Sequence, residues 1–294
     1  MAGPMPEAVR TVVVGAGTMG VRVALRCARS GIETSLVARD LDRARNALRE
    51  AAAEVEDAPA AEAVRVTTAL DAVAHASVVY EAIPEALGRK QTLLAEIEAF
   101  VGDEVPLVSG TSSFFPDALG FDLEFPQRVF VAHFVHPVTL VALAEIVEPA
   151  DPDPSARATF EAWIAAAGLR PLRLATPLPG FIVNRLQFAL LREALHIVER
   201  GGATAAEVDA VMRFGLGPRW TATGPIESIA LGGKGTFADV ARAVVPSLDA
   251  RPDVPLLGLD EGRPAEAGPD RAPALRARLR AYQAAAEIAA SRER

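Results

Sequence analysis

Cysteine and lysine are scarce in this chain, and long apolar runs are absent. One cysteine, Cys27, stands among 294 residues, so no internal disulfide can form and a reducing cytoplasm is the natural setting. Lysine occurs twice, at Lys90 and Lys234, and the net charge is −8. Nucleic acid and anionic membrane both select clustered cations, so neither is expected as a partner. No apolar run reaches membrane-spanning length, and the opening MAGPMPEAVR holds no apolar signal core, so a soluble cytoplasmic protein is expected. What is plentiful is apolar side chain: half of the residues are hydrophobic and the mean hydropathy is +0.21. That supplies a large core, and the length fits two domains.

From Val9 to about Arg173, short β-branched runs alternate with amphipathic, alanine- and arginine-rich stretches. Eight strand candidates emerge: 9–14, 33–38, 64–67, 77–82, 105–109, 128–132, 143–147 and 169–174. Helix-length segments such as 19–30, 41–56 and 88–100 lie between them, a rhythm that predicts a mostly parallel sheet covered by helices. After the break ATPLPG the strand signal ends, and a helical pattern over 181–200 closes on Gly201–Gly202. The expected fold class is α/β: a Rossmann-type dinucleotide-binding domain over 1–178 and an all-helical domain over 179–294. Residues 250–272, rich in Pro, Gly and acid, read as a loop or arm, and the remainder as a helix.

The segment Gly15-Ala16-Gly17-Thr18-Met19-Gly20 directly follows the apolar strand and opens a helix. In that context GxGxxG reads as a dinucleotide fingerprint: Gly15 for the tight turn, Gly17 for close approach of a pyrophosphate, Gly20 for helix–strand packing. Thr18 and Met19 begin the helix whose N–H groups would face the phosphates. At the end of the second strand, an NAD site carries an acid for the ribose 2′-hydroxyl. Counting along ETSLVARD puts Ala38 at that position and Arg39 beside it, which favours NADP(H) slightly over NAD(H). Asp40 keeps the other assignment open, because a one-residue shift would restore the acid.

Two of the four histidines stand in RVFVAHFVHPVTLVALAEIV, residues 128–147, where a short apolar strand runs into His133. Ligands in open α/β sheets bind outside the carboxyl ends of strands. Glu145, twelve positions on, can orient the imidazole and favour its charged form, which makes an acid/base dyad. The plain alternative is that His133 and His136 cap a strand and satisfy backbone groups.

GAGTMG, EAIPE (81–85) with Lys90, SGTSS (109–113), AHFVHP, Glu145 and PGFIVNR (179–185) follow one another in an order that strongly resembles the short-chain L-3-hydroxyacyl-CoA dehydrogenase family. The likeness runs to about residue 235, and GLGPRW resembles the branch holding L-gulonate and carnitine 3-dehydrogenases. The resemblance implies that His133 is the catalytic histidine and Glu145 its carboxylate. It implies that Ser112 and Asn184 bind the substrate hydroxyl, with Asn184 at an interdomain cleft. Glu85 and Lys90 fall where the family contacts the cofactor's ribose and nicotinamide side, although a solvated helix pair is the alternative. Family members commonly dimerise through the helical domain, so a homodimer is expected.

Departures matter as well. His136 stands where the family has Asn, and is either a reshaped substrate pocket or a tolerated variant. Gly110 replaces an Asn, which is expected to loosen one hydrogen bond and little more. Coenzyme A would call for basic side chains, and only Arg213, Arg219 and Lys234 offer themselves. The expected activity is hydride transfer at C3 of a 3-hydroxyacyl or 3-ketoacyl thioester on CoA or a carrier protein, with a biosynthetic ketoreductase as one form of it. The alternatives are a free 3-hydroxy acid whose carboxylate meets Arg219, and, from another class, a non-catalytic, crystallin-like nucleotide-binding protein.

Overall fold

The computed structural model describes residues 9–176, 178–231 and 236–251. The expected arm and final helix, and Lys234, lie outside them. The described residues form two compact units, divided between Asn184 and Arg185.

The first unit is built on one eight-stranded sheet in the order β3-β2-β1-β4-β5-β6-β7-β8. Its strands are β1 (Arg10–Val14), β2 (Glu33–Val37), β3 (Arg65–Thr67), β4 (Val78–Glu81), β5 (Leu107–Ser109), β6 (Val129–Phe134), β7 (Leu143–Val147) and β8 (Arg170–Arg173). All eight overlap the expected segments, but β6 runs two residues past its expected end, so that His133 and Phe134 belong to the strand. All neighbours pair in parallel except β6 and β7, which are antiparallel. The crossovers are α1 (Thr18–Arg29), α2 (Leu41–Ala53) and α3 (Ala58–Ala63), then α4 (Leu87–Glu98), the short α5 (Pro116–Leu119) and α6 (Pro154–Ala166). The chain lays down β1, β2 and β3 outward, then returns to place β4 on the other side of β1. That reversal creates a crevice at the carboxyl ends of β1 and β4, the usual ligand position of doubly wound sheets.

Each central strand is buried on both sides, as a sheet covered on two faces requires. Val13, Tyr80, Val108, Phe130 and Phe134 pack against α1, α2 and α6, whereas Val12, Val79, Leu107, Val131 and Val147 pack against α4 and α5. Strand alternation then assigns faces to the polar residues. Glu81, Ser109, His133 and Glu145 all share the α4/α5 face.

The second unit contains only helices among the described residues. These are α7 (Val183–Glu199, whose first two residues belong to the first unit), α8 (Ala205–Val211), α9 (Gly217–Trp220), α10 (Glu227–Leu231) and α11 (Thr236–Val244). Thr204 and Glu207 form a reciprocal capping box at the start of α8, and a π-helical stretch over Met212–Leu216 carries the chain into α9. Among the described residues, no helix is long and apolar enough to cross a membrane.

Candidate active site

The glycine loop sits at the crevice. Gly15 has φ +114°, a region that L side chains avoid, and its amide donates to the Val37 carbonyl at 3.0 Å, tying the loop to the end of β2. A Cβ on Gly20 would run into the Gly15 carbonyl oxygen, so only glycine lets α1 approach the turn this closely. Gly17 and Thr18 are exposed, and space beyond Gly17 is open. As N-cap of α1, Gly17 supplies no side-chain acceptor, so the first N–H groups of a twelve-residue helix point outward without a protein partner in their cap. Such an end attracts phosphate oxygens. The residues present therefore fit a dinucleotide.

At the end of β2, Ala38 is buried and its amide donates to the Thr67 carbonyl. Arg39 is exposed. Asp40 is the N-cap of α2 and accepts from the Arg43 amide at 2.9 Å. Its carboxylate thus has a local structural task that the sequence alone left open.

His133 and Glu145 lie directly opposite one another in the β6–β7 register. Twelve residues of sequence separation become a cross-strand pair because β7 turns back antiparallel. His133 Nδ1 stands 2.8 Å from Glu145 Oε2, both groups are buried, and the histidine ring lies 5.4 Å from that of Phe181. A carboxylate can only accept, so Nδ1 carries the proton and Nε2 is left with a free lone pair. The second oxygen, Oε1, accepts from the amides of Ile182 (2.7 Å) and Val183 (3.0 Å) at the start of α7. Glu145 therefore also caps that helix, whose first turn contains the half-buried Asn184.

After β5 the chain turns through Gly110, Thr111 and Ser112. Thr111 Oγ1 accepts from the amides of Ser113 and Phe114 and donates to Glu85 Oε1 at 2.6 Å. Thr111 thus makes the turn, and Ser112 does not cap a helix: its hydroxyl has contacts only at 3.5 Å, to Glu85 Oε1 and Ser113 Oγ. Burial opposes charge on Glu85, yet the Thr111 hydroxyl, the Lys90 ammonium, the Ser112 amide and the Ser113 hydroxyl outweigh it and hold the carboxyl below its usual range.

Two expectations need correction. Lys90 is not a solvated helix residue. It is buried on α4 with Nζ against both oxygens of Glu81 (2.8 and 2.9 Å) and the Ile83 carbonyl (3.1 Å). Gly110 is not a loosened contact: a Cβ there would collide with the Tyr80 hydroxyl, which donates to the Ala132 carbonyl at 3.2 Å. Tyr80 fills the space that an Asn at position 110 would need. His136, left by the sequence as a reshaped pocket or a tolerated variant, has an exposed side chain whose charged neighbours are Arg22 of α1 and Glu54. Burial and the Arg22 charge lower its pKa from the ordinary 6.5. Arg219, on α9, is exposed. Glu81, fully buried and bonded to Ser109 and Lys90, was missed. Its signals were a glutamate closing an apolar strand and the first place in EAIPE.

A doubly wound sheet with an open glycine loop and a buried His–Glu pair has the architecture of nicotinamide-dependent dehydrogenases. Residues 10–176 match the 3-hydroxyacyl-CoA dehydrogenase NAD binding domain and residues 180–260 the 3-hydroxyacyl-CoA dehydrogenase C-terminal domain, and the chain belongs to that family. An L-carnitine dehydrogenase of Bacillus cereus is 38% identical over 58% of this chain and 53% of its own, so the match spans about half the length of that relative. The 5-formyl-3-hydroxy-2-methylpyridine 4-carboxylate 5-dehydrogenase of Mesorhizobium japonicum is 30% identical over 85% of this chain and 84% of its own. A crystal structure of a dehydrogenase of that name, described as an NAD+ dependent dismutase, superposes with a TM-score of 0.79 at 28% identity, covering 95% of this chain and 98% of the other.

Proposed function

We propose that the protein transfers a hydride between NAD(P)(H) and the C3 carbon of a 3-hydroxy or 3-keto acid, with His133 and Glu145 as its acid/base pair. The observation that carries this reading is the buried 2.8 Å contact between His133 Nδ1 and Glu145 Oε2 at the end of β6. The nicotinamide, when bound, accepts or returns the hydride. In the oxidative direction His133 Nε2 takes the hydroxyl proton as the carbonyl forms, and Glu145 stabilises the resulting imidazolium. In the reductive direction the protonated ring gives that proton back. Positioned proton transfer of this kind contributes about 10²–10⁴-fold. Ser112, whose hydroxyl is not committed to a short bond, and Asn184 in the first turn of α7 would donate to the substrate oxygen as charge develops.

For the cofactor, the reading is NADP(H) ahead of NAD(H). It is supported by the buried Ala38 in the acidic position, by the exposed Arg39, and by Asp40 being engaged as a helix cap. For the substrate, relatives named for L-carnitine and for a pyridine carboxylate support a free acid over the CoA or carrier-protein thioester expected at first. A substrate panel of free 3-hydroxy acids and 3-hydroxyacyl thioesters, followed by nicotinamide absorbance with each cofactor, tests all three points. Expected are turnover of a free acid, a higher kcat/KM with NADP(H), and a kcat loss of about 10²-fold or more in His133→Ala. Full turnover in that variant overturns the dyad, and a tenfold NADH preference overturns the cofactor assignment.

A further inference from the structure

The α4/α5 face carries, beside the dyad, a second buried charged assembly that proton transfer does not use. Its centre is the ammonium of Lys90, which touches both oxygens of Glu81 and the Ile83 carbonyl. Glu81 is fully buried and further anchored by the Ser109 hydroxyl at 2.5 Å and the Ile83 amide at 2.6 Å. On its outer side, Lys90 Nζ reaches Glu85 Oε2 at 3.4 Å. The other oxygen of Glu85 receives the Thr111 hydroxyl at 2.6 Å and the Ser112 amide at 3.0 Å. An unbroken chain of polar contacts thus runs from the end of β4, through α4, to the backbone of Ser112.

We propose that Glu81 and Lys90 are positioning residues for Ser112: Glu81 fixes Lys90, Lys90 fixes the carboxylate of Glu85, and Glu85 fixes the Thr111–Ser112 turn that presents the Ser112 hydroxyl. Burying a charge pair needs compensation, and apolar replacements often serve the fold equally well. Here the pair has neighbours that an apolar replacement could not serve. Without a cation at position 90, Glu85 has no charge partner on its inner side and keeps only its bonds to the turn. This inference rests on the dehydrogenase reading and on the part Ser112 plays in it.

The test is the double variant Glu81→Gln/Lys90→Met, which removes both charges while keeping side-chain volume. The expected result is a Tm close to wild type and a kcat, read at saturating cofactor, lowered about 10- to 100-fold, the range typical of lost catalytic orientation. The acid limb of the kcat profile should also move to higher pH, because Glu85 loses the ammonium that favours its charged form. Recovery of both Tm and kcat in the double variant overturns the proposal and leaves the pair a fold anchor. Should the double variant not fold, Glu85→Gln reads the same link on a partly exposed side chain. A comparable kcat loss at near-wild-type Tm supports the proposal, and an unchanged kcat overturns it. Turnover by the wild type and its loss in His133→Ala report separately on the reaction, so failure of the link does not count against the dyad.

Discussion

Glu145 does two things at once, and each constrains the other. Oε2 holds the His133 ring while Oε1 holds the Ile182 and Val183 amides. In Glu145→Gln the side chain can serve only one of them. With its oxygen toward the amides, the NH₂ faces His133 Nδ1, which must then accept, and the proton moves to Nε2, where it blocks the base. With its oxygen toward His133, the NH₂ faces two N–H groups and the start of α7 loses its acceptor. The first choice keeps more hydrogen bonds, so kcat should fall about 10²-fold or more with a modest loss of Tm, read from steady-state kinetics and thermal melts. A variant with wild-type kcat would remove Glu145 from the chemistry. His136 gives a separate test by pH. Burial and Arg22 lower its pKa in the folded chain, so the unfolded chain binds the proton more readily. Its contribution is complete above the ordinary value of 6.5 and is lost as pH falls below it. His136→Asn should therefore flatten the decline of Tm between pH 7 and pH 5, and an unchanged slope would contradict this.

At the scale of the element, what the sequence revealed was whatever depends on period and punctuation. All eight strands and the glycine loop are legible, because β-branched runs end at turns and GAGTMG opens a helix. What stayed hidden depends on how one element is set against another. That β7 runs antiparallel, setting Glu145 opposite His133, is decided by pairing and not by local pattern. That Lys90 is buried was not legible, because its counter-charge, Glu81, lies on another element. Tyr80 and Gly110 show the same limit. β4 and β5 are neighbours, and the phenol on β4 occupies the place of a side chain just past the end of β5. Gly110→Ala should cost about 1–3 kcal/mol by overpacking. Tyr80→Val should cost about 2–4 kcal/mol by cavity formation. The two together should cost less than their sum, with a coupling of about 0.5–3 kcal/mol in urea melts, and strict additivity would refute the contact.

For the molecule as a whole, the two units differ sharply in how their apolar residues are used. The first buries dozens of hydrophobic side chains in two layers. In the second, Leu195 is the only buried large hydrophobic among the described residues, while Phe188, Phe214 and Ile226 are 57%, 71% and 81% exposed. Leu186, Ile229, Val240 and Val245 are exposed too. Monomeric proteins rarely leave contiguous apolar patches larger than a few hundred Å² in water. We propose that a second copy of this chain covers these side chains, the homodimer that the family resemblance leads one to expect. Burial of such side chains contributes roughly 1.5–3 kcal/mol each, so a few of them suffice for a stable pair. Sedimentation equilibrium at micromolar concentration should give about twice the chain mass of 30.9 kDa. Phe214→Asp and Ile226→Asp together should shift that to the monomer while leaving the β-sheet signal in circular dichroism intact. A wild-type monomer at those concentrations would overturn the assignment.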